Sequence, residues 1–292
     1  MATFKNQVKI SGTLEDFDFA VKEYKDKSSG EPYNAMVGSL TLNTGDQSVN
    51  LQGFYRELNK DGSTNQQFAT ISNWLQNPEA FIGKNYMTTT SISSSAFKNQ
   101  AGDLIEATQI RASFLNDRNT GVPRAEFTTD LLLTAQPVEE IYKDEPTGRY
   151  VLNANIFDYR DVCFPAKFII ETEAAYDYFV QLDASQTNPV LIEVWGKVIN
   201  NLIHEERETE SAFGDTRIEI FESTKRENVI TGAAIEPKEI TDELFKTIQD
   251  GRKAYEVSIA ALDNQQRKSG FAADTSKKDA APKVDRAKTF EF

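Results

Sequence analysis

The sequence predicts a mostly β protein: two tandem five-stranded barrels, each with one helix set between strands, followed by a C-terminal helix and a disordered tail. Three observations predict it. Extended stretches with alternating apolar and polar residues dominate residues 1–234. The order of elements in 1–124 recurs in 125–234, which marks an internal repeat. Beyond Gly232 the period becomes helical and then disappears.

The first unit opens with an extended run from Val8 to Tyr24, broken at Gly12, and a polar loop follows over Asp26–Pro32. A strand from Ala35 to Leu42, a turn at Asn43-Thr44-Gly45-Asp46 and a strand from Val49 to Arg56 come next. Phe68, Ile71, Trp74 and Leu75 then share one face of a helix, which Pro78 and Gly83 end. Two more strands, Tyr86–Ser93 and Ile105–Leu115, flank a polar loop at Ser94–Asp103. Phe17 and Phe19 alternate with Asp16 and Asp18 and are expected in the core, as is Trp74.

The second unit repeats the order. A run from Phe127 to Tyr142 leads through a loop at Asp144–Gly148 to strands at Arg149–Arg160 and Val162–Ile170. A helix over Glu173–Asp183 presents Ala175, Phe179 and Leu182. Strands at Val190–Ile203 and Thr216–Ser223 close the unit around a charged loop, His204–Asp215. Each unit therefore reads β-β-β-α-β-β, the element order of the OB-fold, a Greek-key barrel. The expected divisions are 1–124 and 125–234 for the barrels, 235–268 for a helical segment and 269–292 for a tail. Thr241 is placed to cap that last helix, which carries Leu244, Ile248, Tyr255, Ile259 and Leu262. From Ser269 the residues gain Ala, Asp, Lys and Pro and lose periodicity, as disordered segments do.

Composition narrows the function. The formal net charge is -13, and the excess acid is concentrated: residues 125–234 hold 9 Lys/Arg against 21 Asp/Glu, whereas 1–124 hold 12 against 13. Such a chain meets a polyanion only where a groove is locally basic, because screening confines surface fields to about 8 Å. No apolar run approaches the roughly 20 residues that span a bilayer, so no membrane association is expected. The first residues lack the apolar segment of a secretory signal. The single cysteine, Cys163, excludes an internal disulfide and suits a reducing cytoplasm.

Aromatic and cationic residues on the polar faces of strands are the candidate site. Along Val49–Arg56, Asn50, Gln52, Phe54 and Arg56 oppose Val49 and Leu51. Arg111 and Gln109 oppose Ile110, Ala112 and Phe114. In the second unit Asn153, Asn155, Phe157 and Tyr159 alternate with Leu152, Ala154 and Ile156. Trp195 and Lys197 oppose Val190, Ile192 and Val194, and Lys167 opposes Phe164, Phe168 and Ile170. Tyr24, Lys25 and Tyr33 flank the first loop, and Phe97-Lys98 sits on a loop otherwise made of Ser, Asn and Gly. Flat rings stack on nucleobases for about 1–3 kcal/mol per base with little sequence preference, and Lys or Arg beside them meet phosphates. Strand aromatics also pack under loops or against neighbouring domains, which is the alternative for each ring.

No enzyme signature accompanies these residues. The lone His204 has no second nitrogen ligand for zinc, Cys163 reads as an inert buried thiol, and no Walker A or dinucleotide fingerprint occurs. Neither a catalytic role nor a cofactor is expected.

The tandem order, the segment Phe-Ala-Thr-Ile-Ser-Asn-Trp-Leu at 68–75, and Tyr150–Phe179 together resemble the single-stranded DNA-binding proteins of tailed phages. The resemblance covers most of 1–234. It implies sequence-independent coating of single strands in replication and recombination within the host cytoplasm. It also implies replication or recombination proteins as partners, and a monomer or small homo-oligomer. Many such proteins end in an acidic tail tipped by Phe. Here the tail carries Lys277, Lys278, Lys283, Arg286 and Lys288, and only Phe290-Glu291-Phe292 is similar to such a tip. Two rival readings stay open at this point. One is a phage interaction or structural protein using its barrels to dock another protein, and the other is an enzyme acting on nucleic acid through an acidic metal site.

Overall fold

The computed structural model describes residues 3–26, 29–99, 101–117, 122–209 and 217–269. The expected disordered tail, with Phe290-Glu291-Phe292, and the tip of the charged loop lie outside the described residues.

Residues of the first unit form β1 (Asn6–Lys25), β2 (Pro32–Asn43), β3 (Ser48–Arg56), helix α1 (Gln66–Gln76), β4 (Asn85–Thr90), β5 (Ile92–Ser94), a two-stranded hairpin β6 (Phe97–Lys98) and β7 (Leu104–Ile105), β8 (Thr108–Ala112) and β9 (Leu115–Asn116). The second unit forms β10 (Arg124–Leu133), β11 (Val138–Tyr142), β12 (Glu145–Phe157), β13 (Cys163–Ile170), helix α2 (Glu173–Gln181), β14 (Val190–Thr209) and β15 (Arg217–Ala233), and helix α3 (Asp242–Ser269) follows.

Both units close in the same way. In the first, β1, β2 and β3 form an antiparallel meander, and β3 runs parallel to β8 with Gln52 opposite Arg111. β8 pairs with β5, and β4 returns to β1. In the second, β10 and β11 both pair with β12, which pairs with β13, and β13 runs parallel to β15 with Ile169 opposite Val229. β15 pairs with β14, and β14 returns to β10. A helix lies between the third and fourth strands of each circuit, so both are mostly β barrels with OB-type connectivity.

The barrels are joined edge to edge. Asn6–Ser11 of β1 pair antiparallel with Arg124–Thr129 of β10, and Val8, Ile10 and Phe127 beneath this seam are buried. One 13-stranded sheet therefore runs through both units, over a single continuous apolar core. A second link joins Asn201 of β14 to Val49 of β3.

Several elements differ from expectation for local reasons. β1 does not break at Gly12; its irregularity lies between Leu14 and Asp16. The run Phe127–Tyr142 divides at Thr134–Pro137 into β10 and β11. The charged loop is largely strand, because β14 continues to Thr209 and β15 begins at Arg217, their residues pairing one to one through this stretch. Ile71 and Trp74 of α1 are buried, but Leu75, one residue past Trp74, is exposed at the margin of the apolar stripe.

Thr241 caps α3 from the residue before it: its Oγ1 accepts from the backbone amide of Leu244 at 3.3 Å. Ile248 then packs into a small second core with Phe4, Leu132, Phe157, Cys163 and Leu191. Gly251 faces the turn before β13 so closely that a Cβ would overlap the carbonyl oxygen of Asp161. Gly to Ala inside a helix ordinarily stabilises by about 1 kcal/mol. Gly251→Ala should instead lower the urea midpoint, since the carbonyl is backbone and cannot swing aside; a raised midpoint would contradict this docking of α3.

Cys163 lies in the same second core, and burial pushes its thiol up from 9.0 to about 11, with Arg252 acting the other way. The folded value is the higher, so this stability is present below pH 9 and is lost between 9 and 11. Urea titrations across that range should show a steeper loss in the native sequence than in Cys163→Ala, and parallel curves would refute it.

Candidate nucleic-acid interface

β3 sets the site because its alternation is strict. Val49, Leu51, Gly53 and Tyr55 are buried, while Gln52, Phe54 and Arg56 are exposed and Asn50 is half-buried on the outer face. Residues on that face follow each other at about 7 Å. Tyr55 anchors the strand from below: its hydroxyl donates to the carbonyl of Ala112 at 2.9 Å, and burial pushes its phenol far up.

The outer face gathers four of the expected residues. Tyr24 on β1 and Tyr33 on β2 are opposed in register and stack at 5.8 Å between ring centroids. Phe54 meets Tyr24 edge-on at 5.4 Å. The Arg56 guanidinium lies 4.0 Å over the Tyr33 ring and pairs with Asp26 at 3.1 Å. This is a half-exposed aromatic cluster with a cation clamped on it, held on paired strands. Arg111, opposite Gln52, extends it onto β8 and lines a shallow groove of about 360 Å³ with Phe54 and Phe114.

Phe114 corrects the expectation that it joins the core with Ala112. β8 ends at Ala112, alternation lapses at Ser113, and Phe114 is 71% exposed beside Arg111 while Leu115 takes the buried place.

Along β3 in the other direction, Gln52 and Asn50 lead into a cleft of about 380 Å³ between the barrels. Its second wall comes from Lys167 and Ile169 of β13 and from Val198–Asn200 and Arg226–Asn228 of β14 and β15. Lys167 thus faces the first barrel, with Glu140 at 3.7 Å. Glu227 is neutralised by Arg149 at 2.7 Å and Lys225 at 3.3 Å. Asn200 braces the junction: its Nδ2 donates to the carbonyl of Asn50, and its amide donates to Gln47 Oε1 at 3.4 Å. A carbonyl can be met only by the NH2 end, so Oδ1 is left over, and among the described residues it has no hydrogen-bond partner. A buried acceptor in that state costs about 1–3 kcal/mol. Asn200 and Asn228 escaped notice in the sequence, although Asn in the middle of long strands is itself a signal, because Asn is depleted there.

The hairpin of β6 and β7 rises from the cleft rim, since Ala107 and Thr108 after it line the cleft. Phe97 pairs with Ile105 and Lys98 with Leu104, leaving Phe97 half-exposed. At the hairpin base Tyr255 of α3 donates to Glu106 at 2.9 Å; burial and this bond push its phenol up to about 12.

The remaining expected residues lie elsewhere. Phe157 is 0% exposed, a correction with a clear cause: Phe4 stacks on it at 3.6 Å, and both belong to the core that Ile248 of α3 closes. Tyr159 lies past the end of β12 in a turn, 72% exposed, with Arg160 over its ring at 4.9 Å, and lines neither groove. Trp195 and Lys197 are exposed on β14 next to Thr128 and Glu126 of β10 and line neither groove; the indole lies so close over Gly232 that a Cβ there would overlap it. Lys25 is exposed on β1, on the side opposite Tyr24. Among the described residues no cluster of His, Cys, Asp and Glu could hold a metal, and no helix is long and apolar enough to cross a membrane.

No curated protein matches the chain. The wild-type single-stranded DNA-binding protein of Thermus aquaticus superposes with a TM-score of 0.47 at 12% identity, over 82% of this chain and 97% of that one. A deletion variant of the same protein gives 0.44 at 13%, over 83% and 100%. Likeness at that level says nothing of what this chain binds. The sequence itself is more decisive: the model of the family described as YorF matches residues 5–259, nearly the whole described fold, and the chain belongs to the YorF family.

Proposed function

We propose that this protein binds single-stranded DNA without strong sequence preference and without catalysis, acting in phage DNA replication or recombination in the host cytoplasm. The observation that carries the reading is the outer face of β3 and its neighbours, where Tyr24, Tyr33, Phe54, Arg56 and Arg111 share one open surface that runs on into the cleft. Unpaired bases offer flat faces to such rings and their phosphates meet the cations, whereas a duplex hides its faces in the stack. Phage association rests on the resemblance of Phe68–Leu75 and Tyr150–Phe179 described above.

Anisotropy of labelled oligo-dT tests it. Binding should weaken with salt by roughly 0.7 in log-log slope per phosphate contact. Phe54→Ala should reduce affinity about 10-fold at constant fold, as the loss of one stacked base requires. Duplex of equal length should compete poorly. Absence of any anisotropy change at low salt would overturn the reading.

A further inference from the structure

The cleft between the barrels differs in chemistry from the aromatic platform. Five carboxamides line it: Asn50, Gln52, Gln109, Asn200 and Asn228. Between them lie the apolar side chains of Ile110, Ile169 and Ile199, and two cations, Lys167 and Arg226, stand on its wall. Apolar surface for a flat face, amides for a polar edge and a cation for a phosphate are the three demands of one nucleotide. A cavity of about 380 Å³ falls within the range of sites that enclose a small ligand.

The second, independent observation is Asn200. It is only 8% exposed, its NH2 is committed to Asn50, and its Oδ1 lacks a donor among the described residues. The site is therefore short of one donor, an N–H or an O–H. Aliphatic chains and phosphodiesters bring none, whereas a nucleobase edge brings an N–H beside acceptors that neighbouring NH2 groups can meet.

We propose that the cleft receives a single unstacked nucleobase of the bound strand and reads its edge through carboxamides, with Asn200 Oδ1 accepting its ring or amino N–H. Asn and Gln can pair bidentately with a base edge because each offers a donor and an acceptor side by side. Thymine fits this: its N3–H donates to Asn200 while its flanking carbonyls accept from neighbouring NH2 groups such as that of Gln52. Lys167 and Arg226 hold the adjoining phosphates. The strand thus stacks without discrimination on the β3 face and is held by hydrogen bonds at one position in the cleft. This inference rests on the single-strand reading above.

The test compares the full chain with Gln52→Ala and Asn200→Ala on two labelled strands of equal length, oligo-dT and a fully abasic deoxyribose-phosphate chain. Both variants should lose about 5- to 10-fold in affinity for oligo-dT, the worth of one or two hydrogen bonds. Their affinity for the abasic strand should stay within about 2-fold, since phosphate contacts are untouched. Gln52 is exposed, so its variant folds even if Asn200→Ala proves unstable. Unchanged affinity of the variants for oligo-dT, or an equal loss on both strands, overturns the base seat and leaves the single-strand reading standing. Failure of the unaltered protein to bind oligo-dT overturns both.

Discussion

The antiparallel pairing of Asn6–Ser11 with Arg124–Thr129 is the constraint on which the rest depends. β1 and β10 are the equivalent first strands of two barrels, so their pairing relates the units by an approximate local two-fold and spends both edges that would otherwise attract another chain. It merges two cores into one and leaves no hinge between the barrels at the seam. With the seam fixed, β14 can leave its own barrel and reach β3, which brings the third strands of both units to opposite walls of the cleft. A flexible linkage would give two separate platforms; this one gives a platform and an adjoining pocket with a fixed spacing.

The excess acid of the chain does not stand unpaired around the cleft. The excess acid lies in residues 125–234, yet around the cleft it is paired: Glu140 with Lys167 and Arg149, Glu227 with Arg149 and Lys225. The first barrel, nearly balanced in charge, supplies the aromatic face. Because screening limits fields to about 8 Å, those local neutralisations matter more than the total of -13.

The sequence made the barrels legible because strand alternation and a repeated helix position are local properties. The β3 face was legible for the same reason: Gln52, Phe54 and Arg56 point outward and their neighbours inward. What was hidden depends on partners far along the chain. Phe157 obeys alternation as an outward residue, yet Phe4, more than 150 positions away, covers it. Phe114 follows the end of a strand, where period two no longer applies. The cleft draws its walls from β3, β8, β13, β14 and β15, and no pattern within any one of them announces the others. The barrel seam likewise needed long-range pairing between strands whose own sequences read simply as first strands.

Photo-crosslinking of iodouracil-substituted single strands, followed by peptide mapping, tests most directly whether the seam-aligned β3 face and cleft form the DNA track. The account predicts adducts on Tyr24, Tyr33, Phe54 and Phe114, with none on the buried Phe157. Adducts confined to α3, to the β11 edge or to Trp195 would contradict it.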